Sequence, residues 1–223
     1  MSIQDNLSSF RNQLPAGIKL VAVSKTKPVN IIDEAYNAGQ RCFGENKVQE
    51  LVEKQALLPD EIEWHFIGHL QRNKVKFIAP FVSLIHAVDS LKLLNEINKH
   101  ASNNDRIINC LLQFHIAKES TKFGLNNDEA IELLESDQYH SFKHVNIIGV
   151  MGMATFTDNT EQVRLEFRLL KTYFDEMKEK YFSEKETFRE ISMGMSDDYK
   201  IAIEEGSTML RIGTKIFGER EMR

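Results

Sequence analysis

Apolar positions along this chain switch repeatedly between the period of a helix and that of a strand. Ile3, Leu7, Phe10 and Leu14 recur at helical spacing, and Pro15-Ala16-Gly17 ends the pattern. An amphipathic helix is therefore expected over residues 1–15. Residues 18–24 read as a first strand, after which Pro28 fits the first position of a helix and Gly39 its exit. A second strand is expected at 41–45, before a helix rich in Glu, Gln and Lys. A third follows at 64–69, with a helix stopping near Pro80, and a fourth at 83–88, with a helix from about residue 90.

The second half repeats the alternation. Strand five is expected at 108–115, a longer loop then leads to a helix from about Asn127, and strand six is expected at 145–151. Val163, Phe167, Leu170, Phe174, Met177 and Tyr181 form the clearest helical stripe of the chain. Strands seven and eight are expected at 188–193 and 208–212, with a short helix between them. Eight strands alternating with helices predict an α/β fold, a single closed (β/α)8 TIM barrel with an extra N-terminal helix. An open doubly wound sheet would show the same alternation, because periodicity does not report closure. No Pro/Gly/Ser-rich linker, low-complexity tract or short repeat divides residues 1–223, so one domain is expected.

Composition narrows the partners. A chain of 223 residues suits one α/β barrel, and 42% hydrophobic with 27% charged residues is ordinary for a globular protein. The net charge of -5 argues against nonspecific attraction to nucleic acid or acidic lipid. The basic stretch Arg72-Asn73-Lys74-Val75-Lys76 reads as a solvated helix face. The sequence shows no apolar h-region at its start and no apolar run long enough for a bilayer. Cys42 and Cys110 fall in expected strands and read as small buried hydrophobes of a reducing compartment. A cytoplasmic, monomeric protein without nucleic-acid or membrane partners is expected.

Candidate chemistry gathers at strand ends. Lys25 follows the apolar first strand, and two small, polar, glycine-containing stretches end the last two: Ser192-Met193-Gly194-Met195-Ser196 and Arg211-Ile212-Gly213-Thr214. Barrel active sites lie at the C-terminal strand ends, phosphates often bind after strands seven and eight, and closure sets strand one beside strand eight. An amine and two phosphate cradles on one rim suit an aldehyde that also carries a phosphate. Pyridoxal 5'-phosphate (PLP) is the commonest such cofactor; it binds lysine as a Schiff base and needs a partner for its pyridine nitrogen.

Each residue also has a plainer role. A lysine at a strand end is ordinarily solvated, and a site lysine needs partial desolvation. Ser196 can cap a helix beginning Asp197-Asp198-Tyr199-Lys200, a role compatible with anion binding, although the aspartates oppose a phosphate unless they point away. Gly213 can serve its turn alone, or present its N–H and that of Thr214 to a phosphate. Arg211 lies in the apolar run Met209-Leu210-Arg211-Ile212 and shares strand parity with Gly213. As a buried cation it needs a partner, either the pyridine nitrogen or a carboxylate such as Glu190. Against the nitrogen, a permanently protonated arginine keeps the ring neutral and a weaker electron sink.

Five stretches carry a resemblance to a known family. They are residues 22–28 (Ala22 to Pro28), Phe43-Gly44-Glu45-Asn46, residues 64–74 (Trp64 to Lys74), residues 192–198 (Ser192 to Asp198) and residues 211–218 (Arg211 to Gly218). In content and order the chain resembles the YggS/PROSC group, the pyridoxal phosphate homeostasis proteins, related to the N-terminal barrel of alanine racemase. The resemblance implies a single-domain, alanine racemase N-terminal domain-like barrel with PLP on Lys25. It implies phosphate contacts from Ser196, Gly213 and Thr214, Arg211 at the ring nitrogen, and Asn46 as a neighbour. His69 stands where many relatives have proline, and Lys122 resembles a position near the cleft, where a second lysine could take the aldehyde during transfer.

The resemblance also implies a non-catalytic protein. Alanine racemase brings a tyrosine from a second, β-rich domain, whereas this chain ends soon after the last expected strand, which leaves Lys25 without a partner for two-sided proton exchange. A protein that buffers or delivers PLP is expected, with apo PLP-dependent enzymes as recipients and indirect effects on vitamin B6 and amino-acid balance. The alternatives are a PLP-dependent amino-acid racemase, a Schiff-base aldolase using Lys25, and a metal hydrolase using His65, His69, His86 and His115. No carboxylate cluster accompanies those histidines along the sequence, and no metal is expected.

Overall fold

Parallel pairing runs unbroken around a ring of eight strands in the computed structural model, which describes residues 2–118 and 123–219. The strands are β1 (Lys19–Val23), β2 (Cys42–Glu45), β3 (Glu63–Phe66), β4 (Leu84–Val88), β5 (Ile108–Gln113), β6 (Val145–Met151), β7 (Glu190–Ser192) and β8 (Met209–Ile212). β8 closes on β1, with Lys19 opposite Met209 and Val21 opposite Arg211. That pairing excludes the open sheet.

The helices are α1 (Ile3–Arg11), α2 (Val29–Asn37), α3 (Val48–Gln55), α4 (Val75–Ile78), α5 (Leu91–Ser102), α6 (Asn127–Glu135), α7 (Asp137–His140), α8 (Thr160–Tyr181), α9 (Tyr199–Glu204) and α10 (Thr214–Phe217). Local chemistry sets their ends. Ser2 with Asp5, and Asn126 with Glu129, form capping boxes on α1 and α6. Pro28 is the N-cap of α2, in extended conformation, so the helix begins at Val29, one residue later than the sequence suggests. Gly39 leaves α2 with φ 87°, the left-handed exit a glycine permits. The α8 stripe buries Val163, Phe167, Leu170 and Met177, and Phe174 stacks on Phe188. Each such burial contributes roughly 1.5–3 kcal/mol.

Strand alternation divides the core in two. Val21, Cys42, Leu84, Ala87, Leu111, Met151 and Met209 fill the barrel interior, while a larger cluster lies between strands and helices. Cys42 and Cys110 are both free and buried, as expected. Arg72, Asn73 and Lys76 are exposed beside α4, in line with a solvated face. Among the described residues, no helix is long and apolar enough to cross a membrane.

Several strands stop short of their expected ends, for reasons that bear on the site. The Ser24 N–H still donates to Gly44 O at 3.0 Å, but the Ser24 carbonyl turns to accept from Lys27 N at 3.0 Å, so β1 ends at Val23. Ile67 N still donates to Glu45 O at 2.9 Å, but β3 ends at Phe66 and Gly68 lies close against Asn46 of the loop after β2. β5 stops at Gln113; beyond it Phe114 N still donates to Met151 O at 2.8 Å, and Phe114 bridges to Leu125.

Candidate cofactor site at the C-terminal rim

A cavity of about 390 Å³ opens where the barrel strands end. Lys25, Asn46, Ser196, Arg211, Gly213 and Thr214 all line it. The three rim segments singled out in the sequence therefore meet in one place. Arg211 and Gly213 share it because they are two residues apart along one strand direction. Close backbone approach shapes the opposite wall: a Cβ on Gly68 would lie 2.4 Å from Asn46 O.

Arg211 is the electrostatic centre. It is buried, with Nη1 donating to Ser192 O at 2.8 Å and to Ser192 Oγ at 2.6 Å, and Nη2 donating to Gly152 O at 2.9 Å. Burial pulls its pKa down to about 10, so it remains a cation at neutral pH. Glu190 is not its partner: that carboxylate accepts from Thr208 Oγ1 at 2.8 Å and pairs with Arg189. Among the described residues no carboxylate lies within ion-pair distance of Arg211.

The Ser196 loop departs from one expectation. Asp198, not Ser196, is the N-cap residue of α9, and it makes no side-chain cap. Its carboxylate accepts from Met195 N at 2.5 Å, and burial raises its pKa against that hydrogen bond. Ser196 is thus left on the cavity wall, and Asp197 lines the cavity beside it. On the other arm, Gly213 is the N-cap of α10, so the first N–H groups of that turn have no acceptor inside the helix.

The sequence left other wall residues unassigned. Ile67, Gln113, Met153, Phe123, Phe156 and Met195 also line the cavity. Gln113 Nε2 donates to Phe123 O at 2.8 Å, holding the two sides together. His69 lines the cavity, stacks on Phe123 at 3.9 Å and pairs through Nδ1 with Asp89 at 3.2 Å. Ile67 and His69 fall in the run Trp64 to Lys74 and Met195 in the stretch Ser192 to Ser196, but neither stretch marked them as wall residues. Lys122, with Ser120 and Thr121, lies outside the described residues.

The barrel histidines do not converge on the rim. His65 and His86 bond each other inside the barrel at 2.9 Å, and His86 Nδ1 sits 3.0 Å from Ser192 Oγ. Burial, aided by the charge of Lys19, pushes His65 down to about 3, and burial pushes His86 well below its usual value. One carboxylate, Glu63, does lie near His65. Cys42, Glu63 and His65 place ligand atoms within 4.8 Å of one another at the opposite barrel end, with Lys19 Nζ 2.6 Å from Glu63.

A buried guanidinium bonded to neutral oxygens, a lysine, and small residues at 196, 213 and 214 fit a phosphorylated aromatic aldehyde, and the volume suits one small ligand. Asp197 is the one lining carboxylate among the described residues, and it counts against the phosphate. Comparison with known proteins gives the family. Residues 1–221 match the model of the alanine racemase N-terminal domain. Over 204 residues the chain is 41% identical to the pyridoxal phosphate homeostasis protein of Aquifex aeolicus, covering 91% of this chain and 87% of that one. The chain belongs to the pyridoxal phosphate homeostasis protein family. Solved structures of the Synechococcus elongatus protein PipY, at 36% identity, cover 97% of this family member and 100% of PipY. The TM-score is 0.90 for PipY without PLP and 0.87 for PipY with PLP bound. Alanine racemase from E. faecalis shares the barrel fold at 16% identity, with a TM-score of 0.73 over 98% of this chain and 58% of the racemase.

Proposed function

We propose that this chain holds PLP as a Schiff base on Lys25 and buffers or delivers it within the cell's vitamin B6 pool. The observation that carries the reading is the meeting of Lys25, Ser196, Arg211, Gly213 and Thr214 on one cavity. When bound, PLP supplies an aldehyde carbon that a lysine amine captures reversibly. Lys25 is that amine. Ser196 and the backbone N–H groups of Gly213 and Thr214 take the phosphate. Arg211 donates to the ring nitrogen and holds it unprotonated, and Asn46 closes the wall beside the ring. PLP bound to PipY and the name of the Aquifex relative support PLP as the ligand.

In this reading the barrel is a monomeric, single-domain carrier of the cytoplasm, and apo PLP-dependent enzymes are its recipients. It does not catalyse. Two-sided proton exchange needs a second acid–base group across the ring from the lysine. The described cavity lining contains no tyrosine, and its histidine, His69, is engaged by Asp89 and Phe123. Arg211 also weakens the ring as an electron sink, which suits storage better than carbanion chemistry.

Purified protein mixed with PLP should show visible absorbance, and borohydride should fix the added mass on the peptide containing Lys25. Transfer to an apo-enzyme should restore that enzyme's activity. Mass on another lysine, or interconversion of L- and D-alanine at enzyme-like rates, would overturn the carrier reading.

A further inference from the structure

The turn that presents Lys25 is gripped from outside the barrel by charges the proposed chemistry does not use. Lys27 N donates to Ser24 O at 3.0 Å, making Lys25 and Thr26 the central residues of a tight turn. Thr26 has φ 65°, in the position where a type II turn ordinarily takes glycine. A β-branched residue stays there only where its surroundings hold it.

Those surroundings are Glu45 at the end of β2 and Lys54 and Glu50 on α3. The buried Lys54 ammonium donates to Ser24 O at 2.8 Å, Glu45 Oε1 at 2.7 Å and Glu50 Oε1 at 2.6 Å, which uses all three of its protons. Ser24 Oγ donates to Glu45 Oε1 at 2.6 Å, and Thr26 N donates to Glu50 Oε1 at 2.5 Å. The residues on both sides of Lys25 are thus tied into one carboxylate–ammonium–carboxylate array, while Lys25 lines the cavity within. Glu45 is fully buried, and its Oε2 has no hydrogen-bond partner among the described residues. An apolar pair of similar size would fill this space at a lower desolvation cost. It could not bond Ser24 or Thr26.

We infer that Glu45, Lys54 and Glu50 are positioning residues that aim the Lys25 amine at the aldehyde carbon. The inference rests on Lys25 being the carrier lysine. Capture joins Lys25 Nζ to that carbon, and the aldehyde oxygen leaves as water with the two hydrogens of the neutral amine. Its rate depends on the approach of the amine, whereas the phosphate and ring contacts are made elsewhere.

The test compares two ligands on full-length Lys54→Met and Glu50→Gln proteins: PLP, and pyridoxine 5'-phosphate, which has the same ring and phosphate but an alcohol in place of the aldehyde. Positioning predicts covalent capture at least tenfold slower in Lys54→Met and severalfold slower in Glu50→Gln, with the Kd for pyridoxine 5'-phosphate within twofold of wild type. Wild-type capture rates, or equal losses for both ligands, overturn the inference. Glu50 is the least buried member, with 20% of its side chain exposed, so Glu50→Gln decides alone if Lys54→Met does not fold. A Lys25→Ala protein that keeps the covalent band removes the carrier reading itself. Loss of the band there, with wild-type rates in the array variants, removes only the array.

Discussion

Arg211 gives both of its shortest hydrogen bonds to Ser192, 2.8 Å to the carbonyl and 2.6 Å to the hydroxyl. A guanidinium can only donate, so the Ser192 hydroxyl accepts from Arg211 while it also bonds His86 Nδ1 at 3.0 Å. The cation is aimed by its neighbours before any ligand arrives, which lowers the ordering cost of binding.

Replacing that cation should weaken the ligand and the barrel together. Arg211→Gln removes a charged donor, worth about 1.5–3 kcal/mol, or roughly 10- to 100-fold in Kd for PLP. The oxygens of Ser192 and Gly152 lose partners, so stability should fall by about 1–3 kcal/mol. Fluorescence titration and urea denaturation read the two effects; an unchanged Kd would contradict a ring-nitrogen role.

Acid should destabilise the barrel through His65 and His86. Burial depresses both folded pKa values, His65 to about 3, against about 6.5 when unfolded. Above about pH 6.5 both states are neutral and the pair contributes nothing to the pH dependence. Below it the unfolded chain takes up protons that the folded barrel refuses, so stability falls by about 1.4 kcal/mol per pH unit for each histidine. Denaturation between about pH 6 and pH 5 should show a slope reduced by about that amount in His86→Gln, and equal slopes would refute the assignment.

Gly68→Ala should damage the site from outside the residues assigned to the ligand. The new Cβ would meet Asn46 O at 2.4 Å, and backbone can only shift. A stability loss of about 1–3 kcal/mol is expected, as for other overpacked positions. PLP affinity should fall with it as the Asn46 wall moves, and a wild-type Kd would show that Asn46 is not in contact.

Thr26→Gly should be tolerated where most glycine substitutions are not. Thr26 sits at φ 65°, a conformation that costs an L-residue about 1–2 kcal/mol, which offsets the backbone entropy a glycine loses on folding. The denaturation midpoint should move by less than about 1 kcal/mol equivalent. A larger loss would mean that the threonine side chain makes a contact of its own.

Much of the site could be read before folding was considered. Lys25 after an apolar run, and Arg211 two residues before Gly213, declare their shared facing because a strand alternates with period two. The α8 stripe and the Gly39 exit were equally legible, since helix periodicity and left-handed glycine act over a few residues. Ser196 was harder: cap and ligand roles use the same oxygen, and the turn of the Asp198 carboxylate to Met195 N settled which residue sits at the helix end.

Other relationships join partners that no local pattern links. His65 and His86 are 21 residues apart, and Ser192 is 106 beyond His86. Lys54 reaches Ser24 across 30 residues, and Gly68 leaves no room for a Cβ beside Asn46. Alternation and turn chemistry act within a few residues, so strands, helices and the chemistry at their ends were already settled along the chain. Which ends meet depends on barrel register and on β8 closing against β1, and that long-range pairing is what made one pocket from Lys25, Ser196 and Arg211.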